Sequence, residues 1–290
     1  MLQLQLHIAD HPWELLPPKL SIALFLFSTL SLPLTIIVLL TNTTRAILHD
    51  YHAFISLGPG GTPSSPYGYL RIKFLSIFAL RDPFTPAPVP SHFKQRSGVL
   101  IKLPRRAGER PNVRGIAPHR QTDQYAPSGI FNILRTNIAA LANAHPKVLI
   151  SKTSCFEKHG PGLFARTARN LTPHCNGEVC HAHPSDGSLH LTLHPADAAI
   201  VLRAGWGERH PLGSGGWLSR FVPGGFVMVY APRTEEEVAV VMQIVTAAVW
   251  WVGGVTLEAG EGVGADREID GLGNDTWAAC PEPKQAILMS

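Results

Sequence analysis

Histidine is the residue type that distinguishes this chain, since seven of its 14 histidines lie between residues 159 and 210. A neutral imidazole binds transition-metal ions, and because it titrates near neutrality it can also accept or donate a proton. The histidines are densest in residues 181–193, which read HAHPSDGSLHLTL. The second half of that segment alternates leucines with polar residues, which predicts a strand with one buried and one polar face. The polar face of this strand is where the sequence can do chemistry.

A hairpin would bring three of these histidines together. Asp186-Gly187 stands between two alternating segments, a strong signal for a tight turn. If these two residues form the loop, His183 pairs with His190. Side chains two residues apart share a face, so His181 joins the other two on the face opposite the leucines. The sequence therefore predicts three convergent imidazoles.

Three convergent imidazoles have more than one interpretation. They can form a metal site, with Glu157, His159 or His210 completing the coordination shell. They can instead act without metal, as a base that deprotonates an acidic enol or phenol. The third interpretation is a polar, solvated hairpin face, and the residues alone leave all three open.

Residues 205–212 (GWGERHPL) add candidate binding groups. Trp206 can stack on a planar ligand, Arg209 can hold a carboxylate or oxyanion, and His210 can reach the hairpin face. The alternative is a helix-ending turn with a buried tryptophan. The Gly-rich residues 213–225 that follow have the composition of a mobile lid. We expect His194 to be a surface residue.

Several function classes lack support in the sequence. There is no Walker A motif, no G-x-S-x-G, no H-E-x-x-H and no glycine fingerprint between a strand and a helix. ATP, flavin and nicotinamide are therefore not indicated. A net charge of +4 is too small to indicate nucleic acid, and four cysteines in 290 residues exclude a disulfide scaffold.

The elements that must position these residues are predicted from periodicity. A helix from Ser128 to just before Pro146, a short helix from Pro195 and a last helix from a Thr234–Glu237 capping box to Gly253 surround short strands. The predicted strands are residues 147–151, 154–159, 188–193 and 226–230. Strands in hairpins with helices before and after indicate an α+β fold, a small antiparallel sheet with packed helices.

The N-terminal part is apolar. Residues 20–40 carry no charge and are long enough to cross a bilayer as a single N-terminal transmembrane helix, the alternative being a cleaved signal peptide. Residues 68–80 mix apolar residues with Arg71 and Lys73, which fits an interfacial helix or a core helix equally. Four prolines between residues 83 and 90 indicate a linker.

The expected organisation is a tail (1–19), an anchor (20–40), a membrane-proximal segment with a Pro-rich linker (41–95), an α+β domain (96–256) and an acidic disordered tail (257–290). The lysines and arginines favour an orientation with the C-terminal domain in the cytosol. We expect a single-pass membrane protein of the endoplasmic reticulum. The sequons at Asn42, Asn170 and Asn274 would then be unused and the cysteines reduced.

Five segments in order resemble the fungal luciferase family, over roughly residues 45–256. They are GERPNVRGIAPHRQ (108–121), SCFEKHG (154–160), HAHPSDGSLHLTL (181–193), GWGERHPL (205–212) and YAPRTEEE (230–237).

This resemblance implies a membrane-associated oxygenase for a small molecule, with O2 as co-substrate and no nucleic acid partner. The luminous members oxidise 3-hydroxyhispidin without added flavin, metal or ATP, through a deprotonated pyrone, a cyclic peroxide and loss of CO2. It implies no cofactor here, although a metal at the histidines stays open. Carried onto this sequence, the resemblance makes four histidines the candidate catalytic residues: His181, His183, His190 and His210. The candidate substrate-binding residues are Trp206, Arg209, Glu157 and His159.

Residues 174–180, the loop at 213–225 and the acidic tail depart from what is typical of the luminous enzymes. We therefore expect oxidation of another enol, hydroxypyrone or polyphenol, without an expectation of light. The alternative is a membrane-anchored module that binds a metal or small ligand without turnover.

Overall fold

The alternation of leucines and polar residues after Gly187 lies at the centre of a six-stranded antiparallel sheet. In a computed structural model of the chain, the structure describes residues 17–168 and 177–257. The chain divides into two units, residues 1–53 and 54–290. The predicted N-terminal tail and acidic tail lie almost wholly outside the described residues.

The sheet has the order β3-β4-β5-β6-β8-β7, and a separate two-stranded ribbon is formed by β1 and β2. The strands are β1 (Val113–Gly115), β2 (His119–Gln121), β3 (Leu149–Thr153), β4 (Pro161–Ala165), β5 (Glu178–Ala182), β6 (Leu189–Thr192), β7 (Gly207–Arg209) and β8 (Phe226–Val229).

In the part of the chain that the structure describes, five α-helices and a 3₁₀ turn accompany the strands. They are α1 (Pro18–Ser56), α2 (Pro66–Ser76), α3 (Ser128–Ala144), α4 (Pro195–Arg203), the 3₁₀ turn Gly216–Arg220 and α5 (Glu235–Gly253). The helices α3 and α4 and the predicted start of α5 are confirmed. Thr234 Oγ1 accepts from the Glu237 N–H, and Gly254 at φ 69° ends α5 one residue beyond the predicted stop.

One face of the sheet forms the hydrophobic core. Leu189 and Leu191 of β6 are fully buried, and α5, whose Val241 and Val245 are fully buried in the same core, packs against β5 and β6. The helix α3 packs on β3 and α5. Burying an aliphatic side chain of this size contributes roughly 1.5–3 kcal/mol. The α+β class with a small antiparallel sheet and packed helices is therefore confirmed.

The strand predicted at residues 154–159 is wrong. These residues form a turn, in which the Lys158 N–H donates to the Ser154 carbonyl and the Glu157 N–H donates to Ser154 Oγ. A serine that satisfies nearby backbone donors competes with strand pairing. The strand that pairs with β3 is β4, which sequence periodicity did not predict.

The register predicted for the histidine hairpin is wrong by two residues. His181, and not His183, lies opposite His190. The loop is longer than two residues because the Gly187 N–H donates to the His183 carbonyl and Asp186 accepts from the Ser188 N–H. A shift of two residues keeps every side chain on its face, so the three histidines still converge.

The segment before the α+β domain contacts it at several points: Leu75 and Phe93 are buried, and the Arg209 N–H donates to the Pro83 carbonyl. One further expectation differs from the structure. His194, expected at the surface, is fully buried and accepts from the Ala196 N–H at the start of α4. Its Nε2 lies 3.2 Å from the Gln95 carbonyl oxygen, so both ring nitrogens have partners, as a buried polar side chain requires.

The described residues of the N-terminal unit belong mainly to the first part of α1, which begins at Pro18 and is longer than the predicted 20–40 span. Among the described residues, two helices are apolar and long enough to cross a membrane by length and composition, α1 over Phe27–Ser56 and α5. Two thirds of α5 is buried in the body, whereas none of the apolar window of α1 is. Along α1 the Thr35 hydroxyl donates to the Ser31 carbonyl.

The cysteines are not all thiols. Cys180 is free and buried, and burial raises the pKa of its thiol. Cys155, however, is disulfide-bonded. The expectation of reduced cysteines is therefore wrong for Cys155.

Asp197 in the first turn of α4 holds the preceding chain against the body. Its carboxylate accepts from the backbone N–H groups of Val99 and Leu100, at 3.2 and 2.8 Å. Burial raises the pKa of Asp197 to about 6, against the lowering effect of these two bonds. The raised folded-state pKa means that stability falls as pH rises from about 4 to 6 and is constant above that window.

We predict that Asp197→Ala lowers the free energy of unfolding at pH 7.5 by about 1–2 kcal/mol, because two amide donors lose their acceptor while the cost of burying its charge is also removed. Urea denaturation of the full chain in detergent measures this change. Asp197→Asn keeps one acceptor and should lose about half as much. An unchanged unfolding midpoint in Asp197→Ala would contradict the anchoring role.

Candidate functional site

Five buried imidazoles meet on the face of the sheet opposite the leucines. His181 comes from β5, His190 from β6, and His183 from the loop between them, and the His183 and His190 ring centroids are 4.6 Å apart. The ring centroid of His119, in β2, lies 5.3 Å from that of His190. The ring centroid of His210 also lies 5.3 Å from that of His190. The period of two that sends leucines to the core sends these rings to the opposite face.

His181 is held by a buried carboxylate. Its Nδ1 lies 2.7 Å from Glu178 Oε1, which also accepts from the Ser154 hydroxyl at 2.7 Å. Burial lowers the pKa of His181, whereas the hydrogen bond and charge of Glu178 raise it. The carboxylate therefore fixes the proton on Nδ1, and Nε2 keeps its lone pair.

His183 is enclosed more deeply than the other rings. Its Nδ1 lies 2.8 Å from Ser188 Oγ, and the Ser188 hydroxyl lies 3.0 Å from both oxygens of Asp186. Its Nε2 is buried without a hydrogen-bond partner and lies 3.3 Å from Glu157 Oε1. One nitrogen of this ring is thus fixed, and the other is available.

A polar chain leads from His190 away from the sheet. His190 Nε2 lies 3.0 Å from His119 Nδ1, and His119 Nε2 lies 3.5 Å from Glu208 Oε1. The Tyr230 hydroxyl donates to Glu208 Oε2 at 2.9 Å. Burial lowers the pKa of His119 and, together with the neighbouring imidazoles, lowers that of His190 strongly. Both rings are therefore neutral near pH 7.

His210 has no free ring nitrogen. Its Nε2 donates to the Ile116 carbonyl at 2.9 Å, and its Nδ1 accepts from the Leu212 N–H at 3.1 Å. Burial holds its pKa well below the usual value. The structure brings His210 to the cluster as predicted, but the backbone fixes its tautomer and occupies both nitrogens.

Glu157 is the charged centre of the cluster. Burial raises its pKa, but the close approach of His183, together with the charge of Arg120, outweighs burial and holds the pKa at about 2. Arg120 Nη2 lies 2.9 Å from Glu157 Oε2. His159 lies at the rim: its side chain is 48% exposed, with Nε2 3.6 Å from the same oxygen.

A cavity of about 460 Å³ opens beside the cluster. This volume is typical of a small-molecule site. His119, His181, His190 and His210 contribute the polar wall, and Phe156, Phe221 and Phe226 contribute aromatic surface. Three cations also line the cavity: Arg71, Lys158 and Arg220.

Two predicted substrate residues lie elsewhere. Trp206 is buried in the core, and its Nε1 donates to the Pro104 carbonyl at 2.6 Å. Arg209 donates to the carbonyls of Thr85 and Gly213. Neither side chain lines the cavity. The alternative interpretation of this segment, a helix-ending turn with a buried tryptophan, is therefore the correct one for Trp206.

Sequence reasoning missed His119, Arg120, Glu178 and Glu208. His119 and Arg120 stand in a short strand whose pairing partner, β1, has only three residues, so periodicity gives no signal. Glu178 lies three residues before His181 and the signal for it was present, since a carboxylate next to a buried histidine is a common orienting pair. Glu208 is a buried acid between two glycine-rich turns, and only the fold reveals its partners.

Two sets of three imidazoles, among the described residues, present one nitrogen each within 4.8 Å of one another. They are His119, His190 and His210, and His181, His183 and His190. The first set contains His210, whose nitrogens are both engaged. The second set keeps one nitrogen free on His183 and is therefore the better candidate for a metal ion.

Comparison with known proteins assigns the chain to a family. The Luciferase domain model matches residues 176–248, which hold the histidine hairpin and much of α5. The luciferase of Armillaria ostoyae is 31% identical over 224 residues, covering 71% of this chain and 81% of that protein. The luciferases of Neonothopanus nambi (30%) and Armillaria mellea (31%) match over the same shares of both chains. No solved structure matches. The chain therefore belongs to the fungal luciferase family.

Proposed function

We propose that this chain is a membrane-anchored oxygenase that uses O2 to oxidise a planar enol, hydroxypyrone or polyphenol. Family membership supports a luciferase-like function. The observation that carries the finer proposal is the Glu178–His181 pair at the wall of the cavity of about 460 Å³. An imidazole whose Nδ1 is held by a buried carboxylate has its Nε2 ready to accept a proton.

In the proposed reaction His181 Nε2 accepts the proton of the substrate hydroxyl. The resulting enolate supplies the electrons that reduce O2, so that a carbon–oxygen bond forms and the negative charge moves to a peroxide oxygen. Substrate is the reductant and O2 the oxidant. Arg71 and Arg220 line the cavity and would stabilise the enolate and the peroxide electrostatically.

The cavity wall suits a flat, partly apolar substrate. Phe156 and Phe226 lie with ring centroids 4.7 Å apart, and the Phe226 ring is stacked on His190 at 5.1 Å. Aromatic walls with a few fixed polar groups are typical of small-molecule sites. Trp206 and Arg209 have no part in this arrangement.

Membrane anchoring is part of the proposal. Along α1, large apolar side chains such as Leu34, Ile37 and Leu40 are exposed, and the apolar stretch is long enough for a bilayer. A soluble surface rarely exposes so continuous an apolar stretch. We therefore propose α1 as a single anchor.

We predict that His181→Gln reduces O2 uptake by about 10²–10⁴-fold, the usual contribution of a positioned general base. The assay is O2 consumption and luminescence by the full chain in detergent, with a panel of hydroxypyrones and polyphenols that includes 3-hydroxyhispidin. The exposed His92→Gln is the matched control and should keep full activity. Wild-type protein that consumes no O2 with any of these substrates would refute the oxygenase proposal.

We predict that Glu178→Gln shifts the acidic limb of the kcat/KM profile to lower pH and lowers its plateau. The Glu178 carboxylate raises the pKa of His181, so removing its charge lowers that pKa and leaves a weaker base that stays unprotonated at lower pH. Rate measurements from pH 5 to 8.5 test this. An unshifted limb would mean that Glu178 has only a structural role.

Membrane orientation has two opposing indications. The lysines and arginines favour a cytosolic domain, whereas the disulfide at Cys155 favours an oxidising compartment. We give the disulfide more weight because the charge difference across the apolar segment is small. We expect the Asn170 sequon to be glycosylated, seen as a mass shift that glycosidase removes and Asn170→Gln abolishes. Unmodified Asn170 would support the cytosolic orientation.

A second candidate function is metal binding, favoured by the unpartnered Nε2 of buried His183. Each ring of the set His181, His183 and His190 has its other nitrogen engaged, by Glu178, Ser188 and His119 respectively. Metal-ligating histidines usually carry such outer hydrogen bonds. A bound divalent ion would polarise a ligand or serve a binding module without turnover.

Metal analysis separates the two candidates. For the leading proposal we expect untagged, dialysed protein to carry no stoichiometric transition metal and to retain O2 uptake. Mass spectrometry of the metal content measures this directly. About one ion per chain, lost in His183→Gln but kept in His92→Gln, would replace the leading proposal with the second.

A further inference from the structure

The helix α2 has two apolar faces, of which the body covers one. Gly68, Tyr69, Ile72 and Leu75 are buried. On the other face Leu70 is 64% exposed and Phe74 59%, and Ile77, just after the helix, is 72% exposed. These three lie at the i, i+4 and i+7 spacing of one helix face. Residues 68–80, expected to be either an interfacial or a core helix, therefore have the surfaces of both.

A second element extends the exposed face. Trp217 of the 3₁₀ turn Gly216–Arg220 is 44% exposed, and its ring packs edge-on against Phe78 at 4.9 Å. Phe78 in turn lies 5.5 Å from Phe74. We name this surface the α2 patch. It consists of Leu70, Phe74, Ile77, Phe78 and Trp217.

Cations accompany the α2 patch. Arg71, Lys73, Arg81 and Arg220 are exposed, and Arg220 lies over the Trp217 ring at 5.9 Å. Residues 57–81 and 211–225 contain no aspartate or glutamate, and Asp82 is the nearest acid in sequence. Apolar and aromatic side chains beside lysine and arginine match the layered chemistry of a bilayer surface, with acyl chains below phosphate groups.

The same two elements also form the wall of the cavity. Arg71, Ile72 and Leu75 of α2 line it, as do Arg220 and Phe221 at the 3₁₀ turn. The α2 patch is therefore the outer surface of a wall whose inner surface faces the imidazoles. A bilayer in contact with this patch would lie at the edge of the cavity.

We propose that the α2 patch docks onto a phospholipid bilayer, with Lys73, Arg81 and Arg220 at the phosphate groups, and that the cavity takes up its flat, partly apolar substrate from the lipid phase. This inference rests on the proposed membrane anchoring, because a bilayer is then the partner always available to this domain. It adds that the domain itself, and not α1 alone, contacts lipid.

The test places a fluorescent bimane label at Phe74→Cys in the full chain, reconstituted in phospholipid nanodiscs with nitroxide-labelled lipids. Ile101→Cys is the matched control, since Ile101 is a 96% exposed apolar residue outside the α2 patch. We expect lipid quenching at position 74 to exceed that at 101 by about threefold or more, as for a side chain buried roughly 5–10 Å into the boundary between headgroups and acyl chains. The unsubstituted chain gives the background from native cysteines.

A second variant tests the apolar contact itself. Ile77→Glu in the labelled chain should abolish the excess quenching at position 74, whereas Ile101→Glu should leave it unchanged. Equal quenching at 74 and 101 would overturn the docking proposal. So would a blue-shifted label at 74 without lipid quenching, which would indicate a protein partner. Failure of the chain to enter nanodiscs would instead refute the anchoring by α1.

Discussion

The burial of five imidazoles on one face of a sheet is the constraint on which the rest of the site depends. Each ring must have a hydrogen-bond partner, because an unsatisfied buried polar group costs roughly 1–3 kcal/mol. Carboxylates supply many of these partners: Glu178 holds His181, Glu208 lies beside His119, and Asp186 lies beyond Ser188. Asp186 also accepts from the Gln121 N–H at 2.7 Å, which ties the hairpin loop to β2. The groups that satisfy the rings therefore also fix the backbone around them.

The core and the site share one structural cause. In β6 the leucines pack toward α5 and His190 points to the opposite side, so the rigidity of the core is passed directly to the imidazole. This coupling explains why a hairpin prediction with the wrong register still placed three histidines together. The extra length of the loop moved the pairing by two residues, and a shift of one would have sent His190 into the core.

The sequence predicted what depends on local periodicity and little of what depends on distant contacts. The helices α3, α4 and α5 and the leucine strand follow from apolar spacing and caps, and all are present. His119 could not be predicted, because it lies 71 positions from His190 in sequence. A ribbon of two three-residue strands brings the two rings together. The strand prediction for residues 154–159 is wrong for a related reason. Ser154 and Glu178 satisfy each other across the sheet, which no local pattern contains.

The segment GWGERHPL shows how one continuous motif serves two environments. Only Gly207–Arg209 is in a strand, and there Glu208 reaches Tyr230 on the side of the imidazoles. Trp206 precedes the strand, just after a glycine at φ 81° that ends α4, and its N–H donates to the Val201 carbonyl. The alternation of faces does not extend back across that turn, so the tryptophan enters the core although its spacing from Glu208 is two. Trp206 could stack on a ligand only if β7 began one residue earlier, which the turn does not allow. Aromatic surface in the cavity comes instead from residues such as Phe226 on the neighbouring strand.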